Sequence, residues 1–202
     1  MGDTFMSMIG GNATMCPLNN EFDMITDKFC ASLGTHDVCV SAIYKINNPS
    51  LEARFEARKQ AIAAARNKPP DVVDVFHGTS LMGAANIVNT GFDPNYSTIA
   101  AYGKGTYASP SVKTALQYCK GVKKGMKKGT SEFSMVFLCR FLKGELGSTG
   151  GGVAIDTTKM DYCGGGDILV TPYADGIIPD YLLCYYRMWN DGAEKKLKWI
   201  SV

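Results

Sequence analysis

The amino-acid sequence predicts an α+β fold, because helical patterns dominate the first third of the chain and strand patterns dominate the remainder. Residues 50–67 are rich in strong helix formers and carry an apolar stripe at helical spacing. Residues 134–141 are apolar and β-branched, which is typical of a buried strand. Since more strand patterns follow that segment, we expect an α+β domain rather than alternating βαβ units.

The first half of the chain supports this order of elements. Gly34 can end a first helix, and residues 38–46 then alternate as in a half-buried strand. Pro49 fixes the first turn of the helix over residues 50–67, and the Lys-Pro-Pro sequence of residues 68–70 stops it. The first helix is predicted from apolar residues that lie three or four positions apart: Phe22, Ile25, Phe29 and Leu33.

The second half adds shorter helices and most of the strands. Helices are predicted over residues 80–90 and 112–119, and strands over residues 72–76, 134–141, 167–173, 179–189 and 195–201. Residues 1–18 are rich in Met and Gly without periodicity, which predicts a flexible tail. We therefore expect one domain over residues 19–202.

Composition excludes several functional classes. Hydrophobic residues make up 46% of the 202 residues and charged residues 20%, as in ordinary globular proteins. The net charge of +2 gives no reason to expect nucleic-acid binding. No apolar run approaches the roughly 18 residues that span a bilayer, and the amino terminus lacks a secretory pattern. We expect a cytoplasmic or nuclear protein without a membrane partner.

The cysteines predict reduced thiols rather than disulfides or a zinc site. Seven cysteines occur without a CxxC pair, and only two histidines could join them. Structural zinc requires about four close ligands in paired short spacings. Buried free thiols are typical of cytosolic and nuclear proteins. The sequence therefore predicts no metal.

Two motifs carry the candidate chemistry. In FHGTS, His77 ends an apolar strand and precedes Gly78. In YGKGTY, glycines at positions 103 and 105 precede Tyr107. Glycines let the backbone approach a ligand closely. Together with Tyr118, these residues predict a pocket for a planar aromatic amide that lies between two tyrosine rings and contacts the backbone of Gly78.

These motifs resemble the catalytic domain of the poly(ADP-ribose) polymerase family, the diphtheria-toxin-like ADP-ribosyltransferases. The resemblance covers residues 43–200. It depends on KINNPSLEARFEARK, on FHGTS followed by a helix that ends in GF, on YGKGTYAS, and on PDYLLCYY. It implies the ADP-ribosyltransferase fold, in which two antiparallel sheets form an NAD+-binding cleft with flanking helices.

The resemblance also implies roles for individual residues. His77 binds the adenosine ribose of NAD+, the backbone of Gly78 holds the nicotinamide carboxamide, and Tyr107 and Tyr118 stack on the nicotinamide ring. Residues 92–102 form a donor loop over NAD+. The remaining NAD+-binding positions are Thr79, Tyr102, Gly105 and Ala115. Alanine at position 115 replaces a hydroxyl residue that holds the carboxamide in the family.

A late carboxylate completes the catalytic set that the resemblance implies with His77 and Tyr107. The best match to the family's glutamate is Asp180, with Asp175 as the alternative if the strand register differs. A carboxylate near the nicotinamide ribose stabilises the oxocarbenium-like charge that develops as the glycosidic bond breaks. Aspartate reaches about 1.5 Å less far than glutamate, which favours transfer of single units.

The sequence thus predicts an NAD+-dependent ADP-ribosyltransferase that modifies a protein acceptor or itself, requires no metal, and has no autoinhibitory helical domain. Three alternatives stay open: an inactive module that binds NAD+ or a partner, a polymer-forming enzyme, and an enzyme that modifies nucleic acid. The lysines of residues 120–129 are the feature that allows a nucleic-acid partner. The glycines of residues 150–152 and 164–166 predict a flexible connection.

Overall fold

The fold is built on two β-sheets that meet at one edge of a cleft. The structure is a computed structural model, which describes residues 7–34, 38–97, 101–117, 131–149 and 153–188. The larger sheet has five strands in the order β1-β2-β9-β5-β3. These strands are Ala13–Met15 (β1), Val38–Ile46 (β2), Asp71–Gly78 (β3), Ser131–Lys143 (β5) and Ile177–Met188 (β9).

The smaller sheet has four strands in the order β4-β8-β7-β6. They are Thr106–Ala108 (β4), Leu146–Gly147 (β6), Tyr162–Gly165 (β7) and Ile168–Thr171 (β8). Every described pairing in the larger sheet is antiparallel, whereas β6 pairs with β7 in parallel. The two-sheet ADP-ribosyltransferase fold that the sequence predicts is therefore confirmed, with one parallel pair that the sequence did not predict.

In the described part of the chain, the helices that flank the sheets include Asn20–Leu33 (α1), Pro49–Arg66 (α2), Leu81–Thr90 (α3) and Val112–Leu116 (α4). The Asn19 side chain accepts hydrogen bonds at the start of α1, and Gly34 ends that helix in the left-handed conformation with φ 68°. The Asn48 side chain caps α2 by accepting a hydrogen bond from the Leu51 amide, and Pro49 lies in the first turn as predicted. The side chain of Ser80 caps α3 by accepting a hydrogen bond from the Gly83 amide.

The two faces of the larger sheet carry different cores, because side chains alternate along a strand. On one face, α1 packs against Phe76 and Leu138, and α2 packs against Leu142. On the opposite face, α3 packs against Val75 and Phe137. Two neighbouring residues of one strand therefore face different sides of the domain.

The amino-terminal segment and the glycine-rich turn are more ordered than predicted. Residues 7–18 were expected in a flexible tail, yet Ile9 is fully buried and β1 pairs with β2 along the sheet edge. Gly164 and Gly165 pair with β8 in a hairpin instead of forming a flexible connection. The segment 195–201 predicted as an edge strand lies outside the described residues. In the part of the chain that is described, no helix is both long and apolar enough to cross a bilayer.

Substitution of Phe29 tests how much the buried face of α1 contributes to the stability of the domain. Its side chain is fully buried and its ring centroid lies 5.1 Å from that of Tyr185. We expect Phe29→Ala to lower the free energy of unfolding by about 3–5 kcal/mol, because the substitution leaves a cavity. Urea denaturation measures the change. Met24→Ala on the same helix is the control, since Met24 is 62% exposed and should change stability by about 0.5 kcal/mol or less; equal losses would contradict the packing described.

Candidate active site

A cavity of about 690 Å³ opens between the carboxyl end of β3, helix α3 and strand β4. This volume lies within the range of roughly 300–1,000 Å³ found for small-molecule sites. The residues from FHGTS and YGKGTY that line it are His77, Gly78, Thr79, Ser80, Gly105, Thr106 and Tyr107. The fold therefore brings together the two motifs that the sequence marked as chemical.

His77 is held in one tautomer by the neighbouring strand. Its Nδ1 lies 2.8 Å from the carbonyl oxygen of Tyr107. Because a carbonyl oxygen only accepts hydrogen bonds, Nδ1 carries the proton and Nε2 keeps its lone pair. Burial lowers the pKa of His77 below 6.5, so the ring is neutral at physiological pH. The imidazole thus offers an acceptor nitrogen to a ligand hydroxyl.

Tyr107 is fixed at both its backbone and its hydroxyl. The hydroxyl donates to the carbonyl oxygen of Gly103 at 2.8 Å and accepts from the amide of Tyr102 at 3.0 Å. Gly103 has φ 95°, a conformation that favours glycine. The YGKGTY turn therefore folds back onto its own tyrosine, which fixes the ring along the cavity wall.

Gly105 allows β4 to approach β8 closely. A Cβ atom at position 105 would lie 2.5 Å from the backbone oxygen of Thr171, which is too close for any side chain. On the neighbouring strand, Ile168 also lines the cavity. The sequence did not single out Ile168, because an apolar strand residue has the same pattern whether it faces a core or a ligand.

Helix α4 supplies the wall that contains Ala115. Both Ala115 and Thr114 line the cavity, and Ala115 is 3% exposed. Position 115 therefore presents a methyl group, and no hydroxyl, to the cavity. The neighbouring residue of this helix, Thr114, carries a hydroxyl group and also lines the cavity.

Asp180 lies on the opposite face of the larger sheet from His77. The His77 ring packs on Phe92 at 5.0 Å between centroids, and Phe92 belongs to the core on the α3 side. The Asp180 carboxylate instead bonds Arg140, which lies between Leu138 and Leu142 on the side of α1 and α2. The structure therefore does not bring Asp180 to the cavity with His77 and Tyr107. Asp180 lies at a bulge of β9, between Pro179, which pairs with Cys139, and Tyr181, which pairs with Leu138.

Arg140 joins Asp180 to helix α2. The guanidinium donates to the Asp180 carboxylate at 2.9–3.1 Å and to the Glu52 carboxylate at 2.7 and 3.1 Å. It also lies 5.2 Å from the centroid of the Phe55 ring. Glu52 and Asp180 raise the pKa of Arg140, whereas burial raises the pKa of Asp180 against the opposing effect of Arg140. This cluster connects the sheet with α2.

The other predicted positions lie apart from the cavity or outside the described residues. The ring of Tyr102 packs into the core of the smaller sheet with Ile155 and Cys163 and does not line the cavity. Asp175 forms an ion pair with Arg58 at 2.8 Å. Tyr118 and the lysine-rich residues 120–129 lie outside the described residues, so their predicted roles stay predictions.

The described lining of the cavity has one charged side chain, that of Asp93 at the rim. The rest of the lining is neutral or apolar, which suits a ligand held by hydrogen bonds and ring stacking. Within the described ranges, no three His, Cys, Asp or Glu side chains are grouped as metal ligands.

Comparison with known proteins identifies the family. Residues 19–161 match the model of the poly(ADP-ribose) polymerase catalytic domain, which is well over half of the chain. One similar relative is the human protein mono-ADP-ribosyltransferase PARP14, with 27% identity over 95 residues. That match covers 46% of this chain and 5% of the relative, so the chain is similar to a small part of a much longer protein.

The neutral state of His77 has a measurable consequence. We expect its imidazole resonances to titrate below pH 6.5, because burial disfavours the charged ring. Between that folded pKa and the ordinary value, the unfolded chain binds more protons, so stability falls as the pH drops through about 6.5. NMR titration measures the pKa, with His36→Gln used to assign the two histidines. A His77 pKa above 6.5 would contradict this prediction.

The position of Asp180 predicts that it contributes to stability. We expect Asp180→Ala to lower the free energy of unfolding by about 1–3 kcal/mol, since a half-buried Arg140 loses charged hydrogen bonds. Thermal or urea unfolding measures the change. Asp74→Ala is the matched control, because the Lys28–Asp74 pair is 43% and 49% exposed and exposed pairs contribute about 0–1 kcal/mol. An Asp180 variant as stable as wild type would exclude a structural role.

Proposed function

Because the chain belongs to the poly(ADP-ribose) polymerase catalytic-domain family, we propose that it transfers ADP-ribose from NAD+ to a protein acceptor and releases nicotinamide. The observation that carries this proposal is the cavity, in which His77, Gly78 and Tyr107 meet. The acceptor is another protein or a second copy of this chain. NAD+ is the substrate, and the proposed reaction requires no metal.

The chemistry of the cavity suits the two halves of NAD+. The Nε2 lone pair of His77 accepts a hydrogen bond from a ribose hydroxyl, while the backbone of Gly78 offers a donor and an acceptor to a carboxamide. In the proposed complex, the Tyr107 ring, which is fixed through its hydroxyl and lines the cavity, stacks on nicotinamide. Thr79, Gly105 and Ala115 form the walls between these contacts.

The proposed reaction exchanges one bond at the ribose C1′ atom. The bond from C1′ to the nicotinamide nitrogen breaks, and its electron pair neutralises the positive charge of that ring. The acceptor then forms a bond to C1′ and loses its proton. Holding both halves of NAD+ in fixed geometry lowers the barrier, because the reacting groups are aligned before the bond breaks.

Transfer of single units is the outcome that the described lining of the cavity supports. Elongation requires a ribose hydroxyl to be activated as a nucleophile, which is work for a positioned general base. The β8 residue at the cavity is the apolar Ile168, and the charged residue among the described lining is Asp93. The relative PARP14 is named as a mono-ADP-ribosyltransferase, which agrees with this proposal.

A second candidate function is binding of NAD+ without catalysis. Two observations favour it: Asp180 lies on the other face of the sheet, bound to Arg140, and Ala115 lacks a hydroxyl. The two candidates differ in whether nicotinamide is released. Both use the same cavity, so binding alone does not distinguish them.

We place the reaction in the cytoplasm or nucleus. The described cysteines are unpaired: Cys16, Cys30, Cys39, Cys139, Cys163 and Cys184. Unpaired thiols suit a reducing compartment. Burial raises the pKa of Cys139, which keeps this thiol protonated and unreactive.

Incubation with labelled NAD+ tests the proposed activity. We expect the wild type to release nicotinamide and to label itself or added protein with a mass increase of one ADP-ribose unit. His77→Ala should reduce the rate by about a hundredfold or more, because a misplaced ribose loses its alignment. Mass spectrometry measures the chain length, and added oligonucleotides test nucleic acid as an acceptor.

The controls separate the two candidates. Asp180→Asn, which keeps its shape but loses charge, should retain turnover within a few-fold if Asp180 acts only through the fold. A hundredfold loss in a stably folded Asp180→Asn protein would return Asp180 to the catalytic set. If calorimetry detects NAD+ binding while the wild type releases no more nicotinamide than His77→Ala, the chain is a binding module.

A further inference from the structure

The carboxyl end of helix α3 is held by the beginning of helix α2. The last four carbonyl groups of a helix have no partner within the helix, and in α3 they belong to Ile87, Val88, Asn89 and Thr90. The Ile87 carbonyl oxygen accepts a hydrogen bond from the Gly91 amide at 2.9 Å. The other three carbonyl oxygens accept hydrogen bonds from side chains at the start of α2.

Asn48 bonds to both helices with one side chain. Its Oδ1 atom accepts a hydrogen bond from the Leu51 amide at 3.3 Å and so caps α2. Its Nδ2 atom donates to the carbonyl oxygens of Val88 and Asn89 at 3.0 and 3.1 Å. An amide side chain has both an acceptor and donors, so this residue type can serve the start of one helix and the end of another together.

Arg54 extends this contact along the same face of α2. Asn48, Leu51 and Arg54 are three positions apart, a spacing that places side chains on one side of a helix. Arg54 Nη2 donates to the Thr90 carbonyl oxygen at 2.7 Å, and its positive charge suits the partial negative charge of a helix carboxyl end. A Cβ atom at Gly91 would lie 2.9 Å from Leu51 Cδ2 and 3.0 Å from Arg54 Nη2, so the two elements meet without room for a side chain there.

This junction lies one residue before a packing contact of His77. Phe92 follows Gly91 and is 4% exposed, and its ring meets the His77 imidazole edge to face, with centroids 5.0 Å apart and 79° between the planes. His77 is also held by the hydrogen bond from Nδ1 to the Tyr107 carbonyl oxygen. That bond fixes one atom of the imidazole, and the contact with Phe92 restricts the rotation that the bond leaves free.

We propose that Asn48 is a positioning residue of the reaction, which together with Arg54 fixes the end of α3 and thereby orients the His77 imidazole. This inference rests on the proposed function, in which His77 Nε2 accepts a hydrogen bond from a ribose hydroxyl. Asn48 and Arg54 are not among the described residues that line the cavity. Their effect therefore passes through Gly91 and Phe92.

The junction is placed where a small displacement changes the cavity. The end of α3 and the two residues after it contribute directly to the lining: Asn86, Ile87, Thr90, Gly91 and Phe92. Loss of the side chains that hold this end would allow the wall and the His77 ring to shift together. A misplacement of about 1 Å can reduce a reaction rate on the order of a hundredfold, so a partial shift should cost about tenfold.

The variant Asn48→Ser separates the two roles of this side chain. Serine also caps helices, so α2 keeps its cap, but the amide donor to Val88 and Asn89 is lost. We expect Asn48→Ser to lower kcat/KM for NAD+ about tenfold. In NMR spectra, we expect it to weaken the nuclear Overhauser effect between the ring protons of His77 and Phe92.

Arg54 provides a second variant that does not disturb a helix cap. Arg54→Met keeps an apolar stem but removes the guanidinium, and it should lower kcat/KM in the same direction by a smaller factor, because Arg54 is exposed. Arg54→Lys keeps a positively charged donor and should stay closer to wild type. A loss that is as large in Arg54→Lys as in Arg54→Met would contradict the hydrogen bond to Thr90 as the cause.

Matched controls remove similar interactions elsewhere in the domain. Asn19→Ala removes the asparagine cap of α1, and Lys59→Met removes a cation of α2 that pairs with Glu56 at 3.4 Å. Both should keep the wild-type kcat/KM and the contact between the two rings. Urea unfolding gives the folded fraction of each variant, and rates are compared where every protein is fully folded.

The outcomes separate this inference from the proposed function. A folded Asn48→Ser protein that keeps either the wild-type kcat/KM or the full His77–Phe92 effect contradicts the inference and leaves the proposed function intact. If Asn19→Ala loses as much activity as Asn48→Ser, the loss reflects general destabilisation and the inference is again wrong.

Binding measurements extend the test to a chain without turnover. If wild type binds NAD+ but releases no nicotinamide, the proposed transfer fails, and the Kd of NAD+ takes the place of kcat/KM. A Kd raised about tenfold in Asn48→Ser then supports the positioning role, whereas an unchanged Kd contradicts it. If wild type binds no NAD+, both the proposed function and this inference fail.

Discussion

A short backbone bridge between the two sheets is the constraint on which the site depends. Phe76 and Ser109 exchange two backbone hydrogen bonds, at 2.6 and 3.0 Å, and His77 adds a third link to the Tyr107 carbonyl. These contacts join the end of β3 to β4, so they fix the spacing of the two cavity walls. The imidazole therefore orients the site as well as lining it, and its tautomer is determined by the same bond.

Side-chain alternation, together with a bulge in β9, determines which carboxylates of the larger sheet face the cavity. His77 faces α3, while Phe76 beside it faces α1. Asp180 follows the second direction, and its pairing with Arg140 stabilises the junction with α2. An acidic residue in a late strand can thus face a ligand or form a structural ion pair, and the side of the sheet that it faces determines which.

The sequence predicted what local patterns encode. Helical spacing, Gly34 and Pro49 defined the bounds of α1 and α2, and the histidine and tyrosine motifs identified residues that line the cavity. The side of the sheet that Asp180 faces depends on register and a bulge between β5 and β9, which pair residues about 40 positions apart. The pairing of β1 with β2 and the cavity position of Ile168 likewise arise from contacts that no local pattern contains.

The apolar side chain of Ile168 in the cavity lining has a consequence for inhibitor chemistry. A compound seated against Gly78 and Tyr107 that extends a small alkyl group toward β8 would be favoured by about 0.8 kcal/mol for each methylene it buries. An ammonium group in the same direction would lose its hydration and find no carboxylate on Ile168 to replace it. Ligands of this cavity should therefore carry an uncharged, apolar group on the side that faces Ile168.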